Sequence, residues 1–251
     1  MQLINKTDIG RIRSVNEDSS YIQIDLNGFA FGVVADGMGG HQAGDLASQM
    51  AIEEIQLQLQ NIDADSSIEQ CETALRAAIE QANTRIFEFA SHKEQYHGMG
   101  TTVVAVLAKE QFLVFAHIGD SRAYLIQSAQ IVQLTEDHSL VSELLRSGQI
   151  TPEEAQRHPR RNVLTRALGT DLTVEVAVGH HIWRAEDIVL LCSDGFSGPV
   201  DNNSIIEILH TEKNLVWKAD QLVTEALNKG GEDNITVILL TNEPIQRGDQ
   251  S

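Results

Sequence analysis

Three times in this chain, two apolar runs of strand length are separated by a connector too short for anything but a hairpin. Residues 21–26 alternate apolar and polar side chains, and Asn27-Gly28 alone joins them to the apolar run 29–35. Lys109-Glu110-Gln111 joins 101–108 to 112–118, and residues 127–130 join 123–126 to 131–134. Parallel strands need a crossover of a dozen or more residues, whereas antiparallel strands can be linked by two. The first two strands are therefore expected to be antiparallel neighbours, and the sheets to be mainly antiparallel rather than doubly wound.

Elsewhere the apolar period changes to that of a helix. Ala43, Leu46, Ala47, Met50, Ala51, Ile55 and Leu59 form one stripe over residues 42–59, and Ile68, Cys71, Leu75, Ala78, Ile79, Ala82, Ile86 and Phe89 form another over 66–90. Ser67-Ile68-Glu69-Gln70 offers a capping-box start to the second. These two helices are expected to pair on a sheet face. Shorter helical patterns follow at 139–147 and after Thr151-Pro152, then the basic and polar run His158-Pro159-Arg160-Arg161-Asn162. A stretch of about 30 residues inserted between strands is often functional. Strands are expected at 173–178, 188–192 and 235–240, helices at 203–210 and 214–228, and a frayed tail at 242–251. The order gives an α+β chain with two layers of sheet and helices outside them; a single helix-flanked sheet is the alternative. No Pro/Gly/Ser-rich linker divides the chain, so residues 1–241 are expected to form one domain.

Composition excludes some functions. With 36 Asp and Glu against 18 Lys and Arg, the net charge is −18. Nucleic-acid binding is dominated by basic side chains neutralising phosphates, so this chain is a poor candidate for it. Cys71 and Cys192 make neither a disulfide framework nor a zinc spacing and are read as structural thiols. No signal-peptide or membrane-spanning run is present, which by default implies a cytoplasmic protein without membrane association.

Chemistry enters through four aspartates at ends of apolar runs. Asp36 follows the run 31–35 and precedes Gly37, Gly39 and Gly40. Asp120 follows 112–118, Asp194 follows 188–192, and Asp233 precedes 235–240. One Asp-Gly is usually only a turn. Four such carboxylates brought together would repel strongly in a low dielectric unless cations held them. Oxygen-only ligands favour hard ions such as Mg²⁺ or Mn²⁺. Two such ions can activate one water and neutralise a phosphoryl group during in-line displacement. A substrate phosphate also asks for a planar guanidinium fork, and Arg11 and Arg13 precede the polar cluster Asn16-Glu17-Asp18.

These pieces carry a resemblance. The chain resembles the metal-dependent Ser/Thr protein phosphatases of the PPM (type 2C) family in their bacterial form. The matching segments are Arg13-Ser14-Val15-Asn16-Glu17-Asp18, Val34-Ala35-Asp36-Gly37-Met38-Gly39-Gly40, Met99-Gly100-Thr101-Thr102, His117-Ile118-Gly119-Asp120-Ser121-Arg122, Thr135-Glu136-Asp137-His138-Ser139, Leu164-Thr165-Arg166-Ala167-Leu168-Gly169, Leu191-Cys192-Ser193-Asp194-Gly195 and Gly231-Glu232-Asp233-Asn234. They stand in the family's order from residue 13 to 234.

The resemblance implies a β-sandwich flanked by helix pairs, with residues 139–165 as a flap beside the site that influences substrate choice. It implies that Asp36 bridges two Mg²⁺ or Mn²⁺ ions, that the Gly37 carbonyl binds one of them, and that Asp194 and Asp233 complete the first. Glu17 and Asp18 would lie near the second, largely through water, and Asp120 with Asp194 would hold a third. Arg13 would bind the substrate phosphate, and a metal-bridging water would attack phosphorus with no phosphoenzyme. Substrates would be phosphoserine and phosphothreonine proteins, met by a monomer. Some members place a histidine directly after the Asp-Gly pair to protonate the leaving group. Here that position is Met38, and His41 is the candidate for that role or for substrate contact. His138 is read as structural, and Gly98, Gly100, Gly169 and Gly179 as turn residues. Two alternatives remain: a two-metal nuclease, which the acidic charge disfavours, and a catalytically weak phosphatase-fold regulator that binds phosphoproteins. A degenerate regulator would lack one of Asp36, Asp194 or Asp233, and all are present.

Overall fold

A computed structural model describes residues 1–40, 42–128 and 130–242. In chain order the elements are β1 (Gln2–Asp8), β2 (Asp18–Leu26), β3 (Phe29–Met38), α1 (Gln42–Leu59), α2 (Ile68–Ser91), β4 (Gly100–Thr101), β5 (Val103–Ala108), β6 (Phe112–Ile118), β7 (Arg122–Gln127) and β8 (Gln130–Gln133). Then come α3 (Leu140–Arg146), α4 (Pro152–Gln156), β9 (Ala177–Ile182), β10 (Ile188–Cys192), α5 (Asp194–Ser197), α6 (Asn202–Leu209), α7 (Leu215–Asn228) and β11 (Ile235–Thr241). The tail from residue 243 and the candidate His41 lie outside the described residues.

The strands form two sheets, β1-β11-β10-β7-β8 and β2-β3-β5-β6-β9, and every pairing within them is antiparallel. All three expected hairpins are present. Asn27 and Gly28 both take positive φ, 52° and 87°, which is the backbone that a two-residue connection between twisted strands demands.

The layering explains why β3 is almost uninterrupted in its apolar character. Its alternate residues Phe31, Val33 and Ala35 face α1 and α2, while Ala30 and Val34 face the other sheet. Between the sheets they meet Leu125, Val189, Leu191 and Ile238. On the far side, α6 and α7 bury Ile205, Leu209, Leu222 and Ala226 against Leu190, Val237 and Leu239. The molecule is thus an α-β-β-α sandwich. The capping box predicted at Ser67 is formed, with Ser67 and Gln70 each bonding the other's backbone N–H.

Three expectations need correction. The strand predicted at 173–178 lies instead at Ala177–Ile182. Val174 and Val178 pack on the helix-covered core, but the backbone pairing runs through Gly179-His180-His181 opposite β6. An edge strand can turn polar side chains outward, so apolar alternation misplaced it. Gly179 is not a turn residue: it pairs with Phe115, whose ring occupies the space a Cβ would need. Gly100 likewise lies in β4, paired with Met38. Sequence reasoning also passed over β1, where Leu3 is the one buried residue of a mostly polar strand.

Candidate metal centre

Asp36 sits near the end of β3, where the strand leaves the core. Its backbone is held on both sides. Its N–H donates to Thr102 Oγ1 (3.1 Å), and its carbonyl accepts from the Thr102 N–H and from Thr101 Oγ1 (2.9 Å each). Thr102 Oγ1 is in turn 2.7 Å from Ser121 Oγ, both buried. Directly across β2, Asp18 is the register partner of Asp36. Gly37 follows, with its N–H on the Glu17 carbonyl (3.1 Å). A Cβ on Gly37 would collide with the Gly44 carbonyl of α1, and a Cβ on Gly44 would fall 2.5 Å from Glu17 Oε1. The strand and helix can cross this closely only because both positions lack a side chain.

The other carboxylates arrive from both sheets at the same end of the sandwich. Asp120 follows β6, Asp194 follows β10, and Asp233 precedes β11. Their mutual effects show the convergence. Burial, then the charges of Asp18, Asp194, Asp120 and Asp233, hold the Asp36 carboxyl well above the usual range. Burial pushes Asp18 up to about 7; Asp194 and Asp233 add to this, and hydrogen bonds from Thr236 and Ser193 oppose it. Burial, Asp194 and Asp137 raise Asp120 to about 7. Asp194 is raised by burial and by Asp233, and a hydrogen bond shared with Asp36 partly offsets this. Buried groups of like charge behave in this way when their counter-charge is missing from the set.

The donor set suits a cation. Asp18 accepts from Ser193 Oγ at 2.7 Å through Oδ2, while its buried Oδ1 has no hydrogen-bond partner. An unpartnered buried carboxylate oxygen facing other carboxylates is costly unless a cation meets it. Among the described residues, no three His, Cys, Asp or Glu groups are drawn close enough to cage an ion by themselves. The donors themselves are all oxygens, which is the chemistry that hard ions such as Mg²⁺ or Mn²⁺ take. The residues present therefore fit such ions.

The rim of the site is built by the loop between β1 and β2. Arg13 Nη2 bonds Asp233 Oδ2 at 2.7 Å, which seats the guanidinium at the edge of the carboxylates. Arg11 is turned away, its Nε donating to the Leu227 carbonyl. Asn234 holds this loop from below. Its Oδ1 accepts from the Glu17 N–H (2.8 Å), and its Nδ2 donates to the Ile9 and Val15 carbonyls (2.9 and 3.0 Å). On the opposite side, His138 Nδ1 accepts from the Gly119 N–H (3.2 Å), beside Asp120, and the His138 and His117 rings stack at 4.7 Å. Arg122 clamps Asp137 with two bonds of 2.8 and 2.7 Å. The insertion starts and ends here: Ser139 bridges Leu164, and the Thr165 N–H donates to the His138 carbonyl.

Asp36, Gly37, Asp18, Glu17, Asp120, Asp194, Asp233 and Arg13 are thus gathered at one end of the sandwich, with His138 bonded to the Gly119 N–H beside Asp120. Met38 is half-buried, its Cε against Gly100. The residues that sequence reasoning missed are Asn234, Ser193, Thr101 and Thr102. Each neighbours a candidate ligand or meets it across a strand pair, and each carries a side chain able to bond a backbone.

Comparison with known proteins follows the same lines. A family profile described as Protein phosphatase 2C matches residues 11–229. The chain is 44% identical over 243 residues to "Serine/threonine phosphatase stp" of Listeria monocytogenes, covering 97% of this chain and 96% of that protein. Its structure is similar to serine/threonine phosphatase Stp1 from Staphylococcus aureus, with a TM-score of 0.91, 39% identity, and coverage of 97% of this chain and 95% of that one. It is also similar to the catalytic domain of the phosphatase PstP in complex with two manganese ions, with a TM-score of 0.81, 36% identity, and coverage of 95% and 96%.

Proposed function

The chain belongs to the protein phosphatase 2C family and is a protein serine/threonine phosphatase, and from that premise we propose how its residues divide the work. Phosphorylated proteins are its substrates. Asp36, the Gly37 carbonyl, Asp194 and Asp233 would hold two Mg²⁺ or Mn²⁺ ions, with Glu17 and Asp18 beside the second. Asp120 with Asp194 would hold a third. When bound, such ions neutralise phosphoryl charge and make water a nucleophile near neutral pH.

The remaining work falls to the protein. Arg13 spends one guanidinium nitrogen on Asp233, which leaves most of its fork to take phosphate oxygens at the rim. Asn234 keeps that fork in place through the loop beneath it. The backbone clamp of Thr101 and Thr102 on Asp36 fixes where the bridging carboxylate points. Residues 1–241 act as one catalytic domain with 139–165 as its flap, and His41 remains the proposed proton donor or substrate contact. We read the enzyme as a cytoplasmic monomer with no nucleic-acid partner; its 36 acidic against 18 basic residues support the last of these. Among the described residues no helix is long and apolar enough to cross a membrane.

The observation that carries this reading is the convergence of carboxylates from both sheets at one end, each raised by burial and by its neighbours. Its test is turnover of p-nitrophenyl phosphate and phosphoserine peptides with Mn²⁺ or Mg²⁺, stopped by EDTA. Asp36→Asn is expected to lower kcat by roughly 100-fold or more. Turnover that survives EDTA sinks the mechanism. Phosphopeptide binding without metal-dependent turnover favours the regulator.

A further inference from the structure

We propose that Arg157, Arg160 and Arg161 read negative charge beside the phosphorylated residue of the substrate, so that turnover favours sites flanked by carboxylates or by a second phosphate. The proposal rests on the phosphatase reading and adds to it a substrate class.

The charge pattern points there first. The chain carries two acidic residues for every basic one, 36 against 18, yet residues 155–170 contain Arg157, Arg160, Arg161 and Arg166 and no acidic residue. The ordinary reading of surface arginines is that they are solvated or paired. At this end of the molecule the others are paired: Arg13 with Asp233, Arg122 with Asp137, Arg146 with Glu136 and Arg166 with Glu175. Arg157, Arg160 and Arg161 are exposed and make no side-chain hydrogen bond or ion pair among the described residues. Three unpartnered guanidiniums within five residues are unusual in so acidic a chain.

Chain connectivity then ties them to the centre. The Arg161 N–H bonds the His158 carbonyl (3.1 Å) and the Val163 N–H bonds the Arg160 carbonyl (3.3 Å). The run is therefore folded into successive turns, with all three arginines exposed. Arg161 is three residues from Leu164, at most about 10 Å of chain. Leu164 bridges Ser139, and the next residue bonds His138, whose ring holds Gly119 beside Asp120. Arg13 already serves the phosphate itself. These three are placed for what flanks it, and they offset the repulsion that an acidic surface exerts on an acidic substrate.

The test uses the full chain with Mn²⁺ and a matched set of phosphoserine peptides. Flanks are neutral, Asp/Glu, Lys, or a second phosphoserine, and p-nitrophenyl phosphate is the substrate without flanks. Wild type is expected to favour acidic over neutral flanks by about ten-fold in kcat/KM at low salt, shrinking as salt is raised. The triple variant R157Q/R160Q/R161Q should bring all peptides within about two-fold of one another while p-nitrophenyl phosphate is turned over as in wild type. Double reversal, R160E/R161E, should favour the Lys flanks. A gain confined to the second phosphate identifies a phosphate subsite; a gain with both identifies a reader of charge; either supports the proposal. Wild type indifferent to flank charge overturns it, as does a preference that survives in the triple variant. Loss of p-nitrophenyl phosphate turnover in that variant overturns it too, because the arginines would then belong to the centre. Failure of wild type on every substrate is a different result and removes the phosphatase reading itself.

Discussion

Asn234 uses its whole amide to hold the loop that carries Arg13 and Glu17. Asn234→Ala would leave two carbonyls and one N–H without partners, at a cost of about 2–4 kcal/mol. Because Arg13 rides on that loop, KM for phosphopeptides should rise several-fold while kcat falls less. Urea unfolding and steady-state kinetics check both. Lowered stability with an unchanged KM would mean that the loop keeps its shape without the amide. This is also where sequence reading stops. Asp36, Asp194 and Asp233 are legible because each interrupts or borders an apolar run. Asn234 is not, because its bond to Ile9 spans 225 residues and no local pattern announces a partner that far away. Ser193 is hidden in the same way, its bond to Asp18 crossing 175 residues.

At the scale of elements, the crossing of β3 and α1 gives a prediction whose sign differs from that of helix propensity. Gly44 lies inside α1, where alanine is ordinarily worth about 1 kcal/mol more than glycine. A Cβ there would meet the Gly37 carbonyl oxygen at 2.9 Å and Glu17 Oε1 at 2.5 Å. Gly44→Ala is therefore expected to lower stability by about 1–3 kcal/mol through overpacking, and to weaken Mn²⁺ binding in calorimetry. A higher Tm would show that the helix can step back. Hairpins and long amphipathic helices were legible as elements because their signals are local. The placing of β9 was not, because an edge strand takes its register from β6 and from the Phe115 ring over Gly179 rather than from its own alternation. The four-residue α5 was missed because a single turn has no period to detect.

For the whole molecule, protons and metal compete for one end of the sandwich. In the metal-free protein, carboxyls whose folded pKa is raised contribute stability fully present below their ordinary value. That stability is lost as pH rises through about 7, as for Asp18 and Asp120. Bound cations supply the missing counter-charge, so the Tm gain from saturating Mn²⁺ should grow between about pH 5 and 8. A gain that is flat across that window would mean that the ions bind elsewhere. His117, lowered to about 3 by burial and by His138, acts in the opposite direction. Its stability is full above the ordinary histidine value and is lost as pH falls from there through about 3. Fold and site were legible together at this scale because the same apolar runs that build the sheets end in the carboxylates.

The pairing of β1 with β11 has a consequence for synthesis. Strand Gln2–Asp8 finds its neighbour in Ile235–Thr241, and Thr7 and Thr236 meet at 2.8 Å although 229 positions apart in the chain. Asp233 enters just before that last strand. During translation, the early carboxylates Asp18, Asp36 and Asp120 leave the ribosome long before Asp194 and Asp233, and the sheet that seats the latter cannot close until β11 is delivered. A chain still lacking Ile235–Thr241 is therefore expected to be inert toward the phosphoproteins around it.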